Sequence, residues 1–392
     1  MRFFSFALVG LITPTALAAA IAWRGPWLFV LPALLYIVIP SLDAILDLDR
    51  VNPGADDAPA KGPWHLLVRS WVPVLLSLLA LGLWAAAKGE MAGWERVVLV
   101  FDLGIVGSAV GITLAHELMH RTNRLDRALA EAIMTSVSYP WFSIEHVHGH
   151  HKRIGTPDDP ATSRFGESLY AFLPRTLRGG LKSALEFERT RAVRRNYGRF
   201  DLRNRFVRYA ATTTTLWVAI YLLLGPLGLL AFVGQSVVAI ILLETINYIE
   251  HYGLQRAVVG ERGGKKTYER VQPRHSWNSS HVASNRFLSN LARHSDHHAN
   301  ANRPYELLRH IEAAPQLPAG YGGMFLIAFV PPLYFHVMDP LVRAWNAQQR
   351  SVEAGPQHGL EHGGVVLAHR VERADAALGL FDLRTPFAGA EE

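Results

Sequence analysis

Four histidines occupy seven residues in the stretch EHVHGHH, from Glu145 to His151. Three further clusters accompany it: HELMH with His116 and His120, NYIEHYG with His251, and RHSDHH with His294, His297 and His298. Imidazole is a common metal ligand, and residues at i, i+3 and i+4 share one face of a helix. His116 with His120, His146 with His150, and His294 with His297 and His298 are therefore each expected to aim at one point. His151 joins them if the helix ends or bends at Gly149. His148 sits about 200° around the helix from His146 and is expected to point elsewhere. These nine ligands exceed what even an octahedral ion accepts, so two metals are expected. Imidazole-only ligation suits zinc, copper, iron or nickel, which leaves the metal open.

Two other readings use the same residues. HExxH is the zinc-protease signature with Glu117 as general base, but it accounts for one cluster and leaves the other seven histidines without a role. A proton-coupled transporter can use intramembrane histidines, yet these fall in pairs at the ends of apolar stretches. The isolated His65, His275, His281, His310 and His336 read as structurally satisfied side chains.

The elements that must position the clusters are apolar. Half of the 392 residues are hydrophobic and only 18% are charged, too apolar for an ordinary soluble chain. About 20 apolar residues span the hydrocarbon core as a helix. Six stretches approach that length, near 5–23, 26–46, 66–88, 97–119, 212–232 and 233–252. A seventh, 322–343, contains Pro331, Pro332 and Asp339 and reads as interfacial or re-entrant. Residues 1–22 also carry a basic start and small residues suited to signal cleavage. Arg and Lys crowd 121–208 but not the links on the other side, which places 120–210 and the region after His251 in the cytoplasm. All four clusters then converge in one cytoplasmic layer. The basic charge is a topology signal and calls for no nucleic acid. The absence of cysteine excludes disulfides, thiolate zinc and cysteine-held iron–sulfur centres. Residues 1–350 read as one membrane-embedded catalytic domain and 351–392 as a polar tail, with His358 and His362 on its surface.

HELMH, EHVHGHH and RHSDHH together resemble the three histidine boxes of integral-membrane di-iron oxygenases of the desaturase and hydroxylase superfamily. NYIEHYG resembles the additional box of the alkane 1-monooxygenase family, as do GTPDDPATSRFGESLYAFLPRT, SWNSSH and PQLPAGYGGM. Arg121 and Ala292 depart from the family pattern, neither at a ligand position. The resemblance covers roughly 35–345. It implies an all-α polytopic membrane protein of six transmembrane helices with a cytoplasmic histidine-rich di-iron cap. It further implies terminal hydroxylation of medium or long n-alkanes with O₂, at the inner membrane. The iron ligands it carries over are His116, His120, His146, His150, His151, His251, His294, His297 and His298. Electrons would come from a rubredoxin served by a flavin-dependent reductase, in accord with the missing cysteines. A xylene-monooxygenase-like hydroxylase and a fatty-acyl hydroxylase or desaturase are the neighbouring readings.

Carboxylates near the boxes would orient imidazoles or metal-bound oxygen. Glu117 and Glu250 are the first candidates, with Glu145, Asp159 and Asp296 behind them. Ala109, seven residues before His116, is expected on the same face about 10 Å deeper, on the wall of an alkane channel fed by the bilayer. The basic run containing Arg189, Arg191, Arg194 and Arg195 is the expected landing place for an acidic electron donor.

Overall fold

The computed structural model describes residues 2–54 and 63–353, with side chains for 10–54 and 65–350. Apart from the helical residues 351–353, the expected polar tail with His358 and His362 lies outside the described residues. Met1–Arg343 form one compact unit, and Ala344–Glu392 form a second to which the end of the last helix belongs.

Helices α1 (Arg2–Trp23), α2 (Gly25–Ile45), α3 (Pro63–Lys88) and α4 (Gly93–Met119) come first. They are followed by α5 (Arg124–Ser136), a short helix α6 (142–153), α7 (Leu169–Arg194) and the long α8 (Arg205–His251). An exposed hairpin, β1 (Val258–Arg262) with β2 (Lys265–Tyr268), separates α8 from α9 (Val282–Phe287), α10 (His294–Ala299), α11 (Tyr321–Ala328) and α12 (Pro331–Glu353).

Among the described residues, four helices are long and apolar enough to cross a bilayer: Gly25–Ile45, His65–Lys88, Gly93–Met119 and Arg205–His251. The apolar segment Gly10–Trp23 is shorter. The protein is a mostly helical membrane protein. At 1.5 Å per residue a straight α8 would run about 70 Å, more than twice a hydrocarbon core. It breaks at Gly225, where φ is 77° and ψ −171°. Only glycine adopts that backbone without strain, and the following Pro226 lacks the N–H that would continue the ladder. The sequence reading put this boundary at 232/233. The break falls seven residues earlier because backbone chemistry, not hydropathy, decides it.

Side-chain caps begin the helices that leave the apolar layer. Asn123 Oδ1 accepts from the Leu125 N–H at 2.8 Å, Ser168 Oγ from Ala171 at 3.3 Å and Asn204 Oδ1 from Phe206 at 2.9 Å, satisfying donors that a helix start leaves open. α8 packs along α4, α3 and α7. This carries His251, at the end of α8, to the level of His116 at the end of α4.

Three π-turns interrupt the ladders: Leu34–Val38 in α2, Gly107–Ile112 in α4 and His146–His150 in α6. A π-turn closes i→i+5 and so shifts the phase of everything after it. Ala109 lies inside the second. The α-helical period therefore does not carry over unchanged from Ala109 to His116.

Candidate metal centre

The nine box histidines meet at one place, in two groups. His116, His120, His146, His151 and His297 form one, and His150, His251, His294 and His298 the other. Within each group, one nitrogen from every ring lies within 4.8 Å of all the others.

Local structure explains the division. His151 donates its backbone N–H to the His146 carbonyl across the π-turn, so these two, five apart, share a face, and their Nε2 atoms stand 3.0 Å apart. His150 is turned to the second group, with its Nε2 3.3 Å from that of His298. The expected pairing of His146 with His150 is thus replaced, because an α-helical period does not hold through the π-turn. In α10, His294 and His298 stay together at i, i+4, 2.6 Å apart. His297, one residue earlier, faces the first group, 3.2 Å from His151. At Gly149 a Cβ would press on the tips of the Glu145 and Arg153 side chains, which pair at 2.7 Å across the turn.

These contacts fit metal ions. Burial, then mutual repulsion, holds His146, His151, His297 and His298 well below the ordinary imidazole pKa. For the same reasons His120 is pushed down to about 3. These five rings therefore favour the neutral form, whose free nitrogen is a metal ligand, and the nitrogens of each group crowd together. Nε2 of His116, His120 and His251 is buried with no hydrogen-bond partner, and each such orphan costs about 1–3 kcal/mol. A cation between the rings relieves both conditions. The nitrogens of each group lie within 4.8 Å of one another and the closest pairs stand 2.6–3.3 Å apart, so a bound ion would draw the widest pairs in and spread the closest.

Outer contacts orient several rings. His150 Nδ1 donates to Asp159 Oδ2 at 2.9 Å, and the same oxygen accepts from Thr162 Oγ1 at 2.6 Å. Burial opposes a charge on His150, but Asp159 prevails and raises its pKa. His251 Nδ1 lies 3.2 Å from Ser276 Oγ. Glu250 Oε2 is 2.9 Å from His294 Nε2, and Oε1 accepts from Tyr321 OH at 2.8 Å. Arg293, buried just before α10, donates to the carbonyls of Leu308 (2.8 Å) and Asp49 (2.6 Å), which fixes the start of that helix.

The other carboxylates stand elsewhere. Glu117 is held by Arg121, four residues on, accepting from its Nη2 at 2.9 Å. Glu145 pairs with Arg153, and burial followed by repulsion from Asp159 raises it to about 7. Asp296 faces away from the rings, accepting from Arg303, Arg309 and Asn300. His148 stacks on Phe187 at 4.3 Å with 6° between planes, outside both groups. Ser276, Thr162 and Tyr321 had no signal of their own in the sequence. Their only marks were the neighbouring stretches SWNSSH, GTPDDPATS and PAGYGGM.

A cavity of about 60 Å³ opens between α2, α4, α8 and α11. Its walls include Leu35, Ile39, Ala109, Leu242, Ile246 and Phe325, and Tyr321 borders it on the side of Glu250.

Apolar spanning helices that end on a layer of buried imidazoles define a membrane-embedded, histidine-ligated metal enzyme. The family model described as fatty acid desaturase matches residues 92–328. The chain is 40% identical to alkane 1-monooxygenase 2 of Pseudomonas aeruginosa over 83% of its own length and 86% of the relative's. It is 37% identical to alkane 1-monooxygenase of Acinetobacter baylyi, covering 79% and 76%. Identity to the xylene/toluene monooxygenase hydroxylase component of Pseudomonas putida is 25%, covering 78% and 82%. The chain belongs to the alkane 1-monooxygenase family, and it is a monooxygenase.

Proposed function

We propose that this chain hydroxylates the terminal methyl group of medium or long n-alkanes to 1-alkanols, using O₂ and two irons held by the five- and four-histidine groups. The observation that carries the reading is the sorting of nine buried or half-buried imidazoles into two ligand sets beside an apolar cavity, in a chain whose relatives are named for this reaction. An alkane offers no charge, lone pair or acidic proton, and iron bound in the two groups supplies the activation of O₂ that such a C–H bond demands.

The protein's own residues do the rest. Asp159 and Ser276 hold the rings of His150 and His251 in a fixed tautomer and orientation. Glu250 presents a carboxylate at the edge of the four-histidine group, and Tyr321 fixes its angle. Leu35, Ile39, Leu242 and Ile246 exclude water and accept a hydrocarbon end-on from the bilayer, so a methyl group arrives first. Glu117, bound to Arg121, steadies the end of α4 between His116 and His120.

In this reading α1, α2, α3, α4 and the two halves of α8 make six spans of the inner membrane. The basic loops and the histidine layer face the cytoplasm. A small acidic redox protein of the rubredoxin type, reduced by its own reductase, delivers the electrons. The test is metal analysis of the purified protein together with turnover of octane, p-xylene and a fatty acid. Two irons per chain and 1-octanol as the preferred product are expected. Zinc in their place, or preference for p-xylene, would overturn the reading.

A further inference from the structure

A groove of about 1010 Å³ opens between α3, α5 and the first half of α8. Its described lining residues include no box histidine and none of the residues around the 60 Å³ cavity, so it stands apart from the metal centre. Leu79, Leu83 and Trp84 of α3 and Leu216, Ile220 and Leu224 of α8 make its body apolar. The small side chains of Ala80, Ala128 and Ala132 on its wall leave that space open.

One end is polar. Glu131, Arg208, Tyr209 and Thr212 line it there, one to two turns inside the caps that Asn123 and Asn204 place on α5 and α8. The acids at this end are already engaged: Glu131 Oε1 accepts from Tyr209 OH at 2.8 Å, and Asp126 pairs with Arg69 at 2.7 Å. Arg205 is held by Glu188 at 2.9 Å. Arg208 is exposed, and it is the last charged residue before Glu244. Arg124 and Arg127 are exposed as well, one turn before Ala128 and Glu131 and so on the same face of α5. Among the described residues, no acid pairs with Arg124, Arg127 or Arg208.

We propose that the groove is a binding site for one anionic phospholipid, its phosphodiester against Arg208, Arg124 and Arg127 and its acyl chains laid between α3 and α8. An ordinary hydrocarbon annulus needs the apolar wall only, and membrane topology needs basic residues only on the correct side. Neither calls for unpaired cations from two helices at the mouth of a single groove, which is what a phosphate head requires. The dimensions agree. From Arg208 to Leu224 the helix rises about 24 Å at ~1.5 Å per residue, enough for the head and the roughly 15 Å depth of one leaflet, half of a ~30 Å hydrocarbon core. The volume stands at the top of the range for ligand sites, about 300–1,000 Å³, which suits a two-chain lipid better than a single-chain amphiphile. Bound there, the lipid ties α5 to α8 on the face that Glu131 and Tyr209 already join.

The test uses the full-length protein, stripped of lipid in mild detergent and titrated with phosphatidylglycerol or with phosphatidylcholine carrying the same chains, with native mass spectrometry as the readout. One phosphatidylglycerol per chain is expected, bound about tenfold more tightly than phosphatidylcholine, because the anionic head meets several arginines. Arg124→Gln combined with Arg208→Gln should bring phosphatidylglycerol down to the level of phosphatidylcholine. Ala132→Trp, which fills the apolar body and spares the arginines, should weaken both lipids severalfold. Circular dichroism confirms the fold of each variant, and the comparison of the two lipids on the wild type decides the matter even where a variant misfolds. Equal binding of the two lipids, or phosphatidylglycerol binding indifferent to both folded variants, would leave a nonspecific annulus and overturn the site. Palmitate binding as tightly as phosphatidylglycerol overturns it in favour of a single-chain amphiphile. A dimer that excludes lipid and is broken by Ala132→Trp overturns it in favour of a second copy of the chain.

Discussion

His150 Nδ1 donates to Asp159 Oδ2 at 2.9 Å, and both side chains are almost wholly buried. The carboxylate thereby fixes which nitrogen of His150 is free to turn toward His298. Asp159→Asn replaces an acceptor with a group that also donates, and it leaves Thr162 Oγ1 competing for the remaining oxygen. Losses at such outer partners run to about 10–100-fold in metal affinity or activity, and a loss of that order in iron affinity is expected here. Asp296→Asn serves as the contrast. It loosens the loop held by Arg303 and Arg309 and lowers thermal stability, while the folded protein keeps its iron. Iron titration of both variants checks the pair.

The two histidine groups differ in size, and this predicts an ordering. His146→Ala leaves four nitrogens in its group, whereas His251→Ala leaves three in the other. Both should abolish 1-octanol formation, but His251→Ala should lose close to one full iron per chain and His146→Ala distinctly less. His148→Ala should retain both irons and lose only its stacking on Phe187, about 0.5–1.5 kcal/mol. Metal analysis by mass spectrometry on folded fractions reads all three, and equal losses for His146 and His251 would contradict the grouping.

The nine histidines were legible in the sequence because clustered imidazoles beside apolar stretches have few physical uses. Their division into groups was not, since it depends on a π-turn that carries His151 to His146 and His150 away from it. Hydropathy located the apolar stretches but missed the break at Gly225, which is set by one positive φ and a proline. Among the acids, Glu250 stands beside the His294 ring, while Glu117 is drawn to Arg121 one helical turn on. Nothing in the local sequence announces which of two nearby partners a carboxylate will choose. Asp159 was one of five candidate acids in the sequence, and the fold of the loop after α6 set it against His150.

Ala109 borders the 60 Å³ cavity and a second of about 30 Å³ on the other side of α4. The substitution Ala109→Leu fills space that a long chain needs and a short one does not. The ratio of octane to hexadecane turnover should rise about tenfold, the scale on which hydrophobic pockets discriminate by a few methylene groups. If the leucine merely overpacks the helices, both substrates fall together and the ratio stays constant. Measuring the ratio at matched iron content separates the two results.

The basic end of α7 offers the last prediction. Arg191 is engaged, donating to Glu188 at 2.6 Å and to Tyr197 OH at 2.8 Å, so it holds the turn after α7 together. Arg189, Arg194 and Arg195 are exposed and are the residues left to meet an acidic donor. Reversing two of them, Arg194→Glu with Arg195→Glu, should raise the KM for the reduced donor severalfold and leave kcat at saturating donor unchanged, because rim charges act mainly on encounter. The wild type should show the same trend with salt, since the Debye length falls from about 10 Å at 0.1 M to about 3 Å at 1 M. In the doubly reversed variant the salt dependence should flatten or invert. Donor-dependent turnover indifferent to both charge reversal and salt would place the docking surface elsewhere on the protein.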